Sequence, residues 1–177
     1  MRLCGENMEV RYLTDDDSLY ELSHIYEESW KCAYKNIVPQ EYLDSIPEGR
    51  WASGTLTAEG RHNLVLAEGE KLVGTSCFCR SRWDEFPDHG EIVSLYLLPG
   101  YVGKGHGKML LERALKELKC LGFSNVVLWT LEENVHARLF YEMNGFRYSG
   151  ISRNENIGGK MIRELLYIYE GEKYDIQ

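Results

Sequence analysis

The sequence predicts one mixed α/β (α+β) domain, a central sheet of about seven strands flanked by about four helices. Three observations carry this prediction. Period-two apolar alternation recurs in separate short segments, apolar residues at helical spacing fill the stretches between them, and 177 residues with 44% apolar and 12% aromatic side chains suffice for one core.

Taken in order, MEVRYL at residues 8 to 13 alternates like a short strand. The run Thr14, Asp15, Asp16, Asp17 then offers an N-cap and first-turn acids. In the helix predicted to follow, Leu19, Leu22, Ile25, Tyr26 and Trp30 recur at helical spacing, and Pro39 and Pro47 break the chain beyond it into shorter helical pieces. NLVLAE (63 to 68) and LVGTSCFCR (72 to 80) read as a hairpin around Gly69 to Lys71, and EIVSLYLL (91 to 98) follows the polar surface loop WDEFPDHG. From Gly105 to about Leu121, the residues Met109, Leu110, Ala114, Leu115 and Leu118 make an apolar stripe closed by Gly122. The strand NVVLWTL (125 to 131), a helix from Asn134 to about Asn144 and the strands FRYSGIS and KMIRELLYIYE complete the order β, α, α, β, β, β, α, β, α, β, β. No linker, repeat or low-complexity segment interrupts it, so residues 1–177 read as a single domain with its core over about 8–170.

Twenty-eight acidic against twenty basic side chains give a formal charge of −8, which argues against a sequence-independent grip on nucleic acid and makes cationic amines the more natural partners. Five cysteines are an odd number, and only Cys77 and Cys79 lie close together, on one face of a predicted strand. That is neither a disulfide framework nor a zinc spacing, and it points to a reducing cytoplasm. His24, His106 and His136 are too scattered for a metal site. MRLCGENMEV has no apolar h-region, no run of 18 apolar residues occurs, and Met8 offers an alternative start, so neither secretion nor membrane spanning is expected.

The most informative segment is LLPGYVGKGHGKMLL, where an apolar strand gives way to a helix through a turn containing Gly103, Gly105 and Gly107. Glycines there let the backbone approach a ligand, and the unpaired N–H groups of a first helical turn suit a pyrophosphate. Lys104 and Lys108 flank the turn. A Walker loop is excluded because Val102 stands where its first glycine belongs and Met109 where Ser or Thr belongs; a dinucleotide fingerprint fails because its third glycine falls on Lys108.

With Gly105 and Gly107 in its two small positions, the segment resembles the acyl-CoA signature Q/R-x-x-G-x-G/A of the GCN5-related N-acetyltransferase superfamily, although the Gln or Arg position is Val102. The resemblance implies acetyl-CoA as cofactor and a mostly antiparallel sheet. It implies a pyrophosphate held by backbone amides of the turn Val102, Gly103, Lys104, Gly105, His106, Gly107 and Lys108. The backbone of Leu95, Tyr96 and Leu97 would pair with the pantetheine arm as an added strand.

Downstream, Asn134, Ala137, Phe140, Tyr141, Gly145 and Phe146 match the superfamily's second block, N-x-x-A-x-x-F-Y-x-x-x-G-F. On a helix, 134, 137 and 141 share a side. Asn134 is then a cofactor contact or only an N-cap, and Tyr141 a core aromatic or the phenol that protonates the leaving thiolate, the role the superfamily assigns it. Phe140 suits the core, and Trp129 either setting.

A protonated amine has to lose a proton to attack. Glu91 is the candidate base, expected on one strand face with Val93, Leu95 and Leu97; a strand-edge carboxylate, with ordered water as base, is the alternative. Glu28, Trp30, Tyr34 and Asp84, with Glu85 and His89, are candidates for an amine pocket, since the superfamily selects substrates through its first helices and the loop before the glycine-bearing strand. The resemblance thus implies direct transfer of acetyl from acetyl-CoA to a primary amine of a small molecule or peptide in a ternary complex, without an acyl-cysteine. A non-catalytic acyl-CoA-binding or sensor module is the alternative, and a homodimer is left open.

Overall fold

The acid run before the first helix does not cap it. In the computed structural model, which describes residues 8–52 and 58–171, helix α1 (Leu19–Ala33) starts one residue later, at Ser18, whose hydroxyl accepts from Glu21 N at 3.3 Å. Asp17 instead closes the turn out of strand β1 (Met8–Tyr12). It accepts two hydrogen bonds of 2.7 Å from Arg11 and one of 2.8 Å from Thr14 N. A bidentate guanidinium bond is worth more to a carboxylate than a helix dipole across solvent.

The remaining strands are β2 (Arg61–Glu68), β3 (Lys71–Arg80), β4 (Gly90–Leu97), β5 (Asn125–Leu131), β6 (Phe146–Ile157) and β7 (Lys160–Glu170). Helix α2 (Gln40–Asp44) follows Pro39, and α3 (His106–Cys120) and α4 (Val135–Met143) flank β5. The strands form one sheet in the order β1-β2-β3-β4-β5-β7-β6, antiparallel throughout except between β4 and β5. Strand β6 runs five residues beyond its predicted end at Ser152. Its pairing with β7 shifts register between Tyr148 and Ser152, around Gly150 at φ +86°, and resumes to Ile157.

Each face of the sheet carries its own apolar layer. Leu110, Leu111, Ala114 and Leu118 of α3 pack with Tyr141 and Phe146 on Phe78, Ile92, Val126, Leu128, Leu165 and Tyr167. On the opposite face, Leu22, Ile25 and Tyr26 of α1 cover Val65, Ala67 and Leu72, and the α2 region covers Leu131 and Ile162. The buried Glu27 ties these parts together, accepting from Ser23 Oγ at 2.7 Å and Gly49 N at 2.8 Å. Among the described residues no helix is long and apolar enough to cross a membrane.

The feature that positions the site is a failure of pairing. Strands β4 and β5 are partners only at Gly90↔Val126 and Glu91↔Val127, whereas β5 pairs with β7 along its whole length. Gly90 permits that contact, because a Cβ there would lie 2.7 Å from Leu118 and 3.2 Å from Phe123. Beyond Glu91 the two strands part, and β4 changes from buried to half-buried.

Arg11 holds the Asp17 carboxyl at a pKa of about 2 through its hydrogen bonds. Asp17 is therefore ionised in the folded protein well below its ordinary value, and its contribution is complete above that value and lost as pH falls towards about 2. Asp17→Asn should lower stability by about 1 kcal/mol at neutral pH and by less near pH 2, as followed by urea denaturation across that range.

Candidate active site at the parting of two strands

Backbone parity sets what the open edge of β4 offers. Leu98 N donates to Val73 O at 2.9 Å, so Leu98 and, two residues earlier, Tyr96 direct their amides towards β3. The backbone groups of Leu95 and Leu97 therefore face the gap, with Ser29 Oγ donating to Leu97 O at 2.7 Å. Tyr96, expected to contribute backbone, directs its amide to β3 and packs its side chain against Tyr26 of α1.

At the far end of β4, a single 3-10 turn (Pro99–Tyr101) leads through Val102 to Gly103 at φ +77° and Gly105 at φ +86°. Gly105 is the N-cap residue of α3, and no side chain caps that helix. A Cβ at Gly103 or Gly105 would meet nothing within 4 Å, so the left-handed backbone, not crowding, requires glycine. His106 Nδ1 lies 3.2 Å from Tyr101 O and ties the turn. Val102 is 43% exposed, Lys104 Nζ lies 5.7 Å over the Tyr101 ring and Lys108 Nζ is 3.6 Å from Glu112, so what the turn itself leaves without partners among the described residues is its first-turn amides.

The second signature block abuts the first. Phe140 of α4 lies 3.4 Å from the place of a Cβ on Gly107, so the two blocks are in van der Waals contact there. Asn134 is the N-cap of α4, its Oδ1 accepting from Ala137 N at 3.2 Å, and Ala137 packs against the main core. Tyr141 is 9% exposed, its ring against Phe140 and Phe146, and its hydroxyl has no hydrogen-bond partner among the described residues. Burial, and the neighbouring Tyr96, push its pKa up, so it stays protonated.

On the α1 side of the gap, Tyr96 Oη accepts from Trp30 Nε1 at 3.2 Å and lies 3.2 Å from Tyr34 Oη. Burial keeps both phenols neutral. Trp30 and Tyr34, two of the candidates for an amine pocket, thus both lie against Tyr96. Glu28 does not: it lies on another side of α1, 3.4 Å from Lys31. Asp84 and Glu85 point to solvent from the preceding loop, and His89 packs on Phe86.

Glu91 departs from its expectation in two respects. Cys77 pairs with Ser94 and Phe78 with Ile92, leaving Val93 as a bulge residue. The bulge reverses the alternation, so Glu91 shares a face with Ser94 and Tyr96 and not with Leu95 and Leu97. Nor is its carboxylate open. It is 2% exposed; Oε2 accepts from Arg82 N and Nε at 3.0 Å, and Oε1 from Arg82 Nη2 at 2.6 Å and Trp83 Nε1 at 3.2 Å. Burial alone would raise its pKa, but these bonds outweigh it and hold the group below the usual carboxylate range. A carboxylate with four donors is a poor base; Glu91 fastens the loop that carries Trp83.

Sequence reasoning missed Glu164. It stands between Ile162 and Leu166 on the alternation of β7, a charge in an otherwise apolar series, and that irregularity was its signal. Pairing with Leu131 places it on the α1 face. Its Oε2 accepts from Arg153 Nε at 2.7 Å, and the Arg153 guanidinium packs on the adjoining Trp83 and Trp129, at 4.4 and 4.5 Å from their rings.

A gap between two parallel strands, an uncapped glycine turn at one strand's end and a protonated phenol beside it define an acyl-CoA-binding transferase site. Residues 19–146 match the Acetyltransferase (GNAT) family, and the chain belongs to that family. It is an N-acetyltransferase, and acetyl-CoA is the cofactor its family uses. The chain is 28% identical over 144 residues to the spermidine N(1)-acetyltransferase of Thermoplasma acidophilum, covering 80% of this chain and 89% of that one. It is 34% identical over 107 residues to the [ribosomal protein bS18]-alanine N-acetyltransferase of Haemophilus influenzae, covering 59% and 69%. The same fold is seen in the PaiA N-acetyltransferase of Thermoplasma acidophilum, solved with coenzyme A, at a TM-score of 0.72 and 24% identity over 93% of this chain and 99% of that one.

Glu91→Gln should cost about 1–3 kcal/mol in denaturant unfolding at neutral pH, since it unpairs Arg82 and weakens its loop bonds. Because the folded pKa is depressed, the wild-type advantage is full above the unfolded value of 4.5 and declines below it.

Proposed function

We propose that this protein transfers acetyl directly from acetyl-CoA to a primary amine of a small molecule or peptide, within a ternary complex. The observation that carries this reading is the parting of β4 and β5 after two residue pairs, with the glycine turn at the end of β4 and the Tyr141 phenol in electrostatic reach of Tyr96 on that strand.

The residues present fit the cofactor. The edge amides and carbonyls of Leu95 and Leu97 would bind an amide-bearing arm as a sheet bonds a strand. The first-turn amides of Gly103, Lys104, Gly105, His106, Gly107 and Lys108 would hold the pyrophosphate, with Val102 adding only backbone. Asn134 and Ala137 would flank the arm at the start of α4. When bound, acetyl-CoA supplies an acetyl group activated as a thioester.

Tyr141 Oη holds a proton for the leaving thiolate, and its raised pKa keeps that proton in place until sulfur develops charge. Trp30, Tyr34 and Tyr96 exclude water on the acceptor side and orient the amine. Burial raises the pKa of the Cys77 and Cys79 thiols, which keeps them poor nucleophiles and favours direct transfer over an acyl-cysteine. The free thiols of Cys32, Cys77, Cys79 and Cys120 fit a reducing cytoplasm. An amine acceptor is also consistent with the relatives, one named for spermidine and one for a ribosomal-protein alanine.

Thiol release from acetyl-CoA over an amine library tests the reading, and binding of coenzyme A without turnover on any amine would replace it with a binding module. Tyr141→Phe should reduce turnover about 100-fold with coenzyme A affinity unchanged by calorimetry; full turnover would remove the acid role. Gly105→Val should weaken coenzyme A binding at least about 10-fold, because a β-branched residue at positive φ deforms the turn; unaltered affinity would refute the pyrophosphate site.

A further inference from the structure

Glu91 is closed to an acceptor, yet an ammonium entering the α1 side of the gap needs a counter-charge. We infer that Glu164 Oε1 docks the acceptor's ammonium and takes its proton, and that the acceptor is a primary amine bearing one positive charge on a flat apolar body. This rests on the acetyltransferase reading above.

Four observations on the α1 face carry it. Glu164 is 15% exposed, and both of its close contacts with Arg153, 2.7 Å to Nε and 2.6 Å to Nη2, fall on Oε2, so that Oε1 has no partner among the described residues. Trp83 and Trp129, themselves in ring contact at 5.3 Å, both pack on the guanidinium, which steadies the ion pair and leaves Oε1 the atom available to a ligand. The charge of Glu164 reaches the hydroxyls of Tyr34 and Tyr96, and Tyr141 in turn interacts with both, so carboxylate and acid flank one pair of phenols. The surroundings are aromatic: Trp30, Tyr34, Tyr96 and Trp129 are half-buried there.

The same face limits total charge. Arg61 beside Cys77, Arg82 on Glu91 and Arg153 on Glu164 stand against Glu27, Glu91 and Glu164, of which the first two are closed by donors, and Glu155, 3.5 Å from Arg153, lies at the outer margin. An amine with further positive charges would meet guanidinium instead of a second open carboxylate.

The proton balance is complete. One ammonium N–H bond breaks, its electron pair stays on nitrogen, and the proton forms an O–H bond at Glu164 Oε1. As nitrogen acquires its acyl bond, its second proton replaces the one that Tyr141 Oη has given to sulfur. Glu164 then releases its proton to water.

The test uses Glu164→Gln and Glu164→Asp in the full chain, with phenethylamine as the monocation and spermidine as the polycation. Calorimetry with coenzyme A present should show phenethylamine binding at least about 10-fold weaker to Glu164→Gln than to wild type, with Glu164→Asp intermediate and coenzyme A affinity equal in all three. The kcat/KM for phenethylamine should fall about 100-fold at pH 7 and the difference from wild type should shrink steadily as pH rises towards about 10, where a growing share of the amine arrives unprotonated while Tyr34, Tyr96 and Tyr141 hold their protons. Equal amine affinity or parallel pH profiles would overturn the role of Glu164. A preference for spermidine over phenethylamine would overturn the single charge, and failure of phenethylamine to bind wild type would overturn the acceptor class. Loss of coenzyme A binding in wild type itself would instead refute the transferase reading.

Discussion

The separation of β4 from β5 is the constraint on which the rest of this structure depends. Two residue pairs join the strands, Gly90 making room for Leu118 and Phe123, and the sheet then opens in its own interior. An edge inside a sheet leaves backbone groups that need partners. Here the amides and carbonyls of Leu95 and Leu97 face the gap, a place where an extended ligand restores what the neighbouring strand does not supply. Helix α3 begins at the end of the same strand, so one continuous segment, from Leu95 to Lys108, presents both a strand edge and an uncapped helix terminus.

Charges on the α1 face are arranged around that opening with a division of labour. Glu27 and Glu91 are nearly inaccessible and have donors that fasten loops, one holding the segment at Gly49 and the other the loop carrying Arg82 and Trp83. Such carboxylates stabilise a particular backbone geometry and are removed from proton transfer by the bonds that satisfy them. Glu164 has one oxygen held by Arg153 and one open, the combination of fixed orientation and residual acceptor capacity that a ligand-binding carboxylate needs. The phenols between Glu164 and Tyr141 remain neutral through burial, so they shape and dry the site without adding charge.

Much of this architecture was legible as pattern. The seven strands, the helices around Met109–Leu118 and Ala137–Tyr141, and the two glycine-bearing blocks follow from periodicities of two and 3.6 and from residue types that only a turn tolerates. The acceptor side was less legible. Trp30 and Tyr34 stood out as aromatics, but Glu28 and Asp84 attracted notice only as acids near them, and in the fold they face solvent or a lysine. The extension of β6 past Ser152 escaped notice because an edge strand exposed on both faces shows no apolar alternation.

Local chemistry in the sequence by itself determined the strand and helix order, the phosphate-type turn at Gly103–Gly107 and the candidacy of Tyr141, because each depends on residues within a turn or two of one another. Tertiary structure alone decided which carboxylate is free. A single extra residue at Val93 reversed the face of Glu91, and donors nine and eight residues away closed it. Glu164 acquired its position through pairing with strands 33 and 11 residues distant, at Leu131 and Arg153. Pleat parity is a local property, but register, bulges and partner choice are set by long-range pairing, and catalytic assignments at this site turn on the latter.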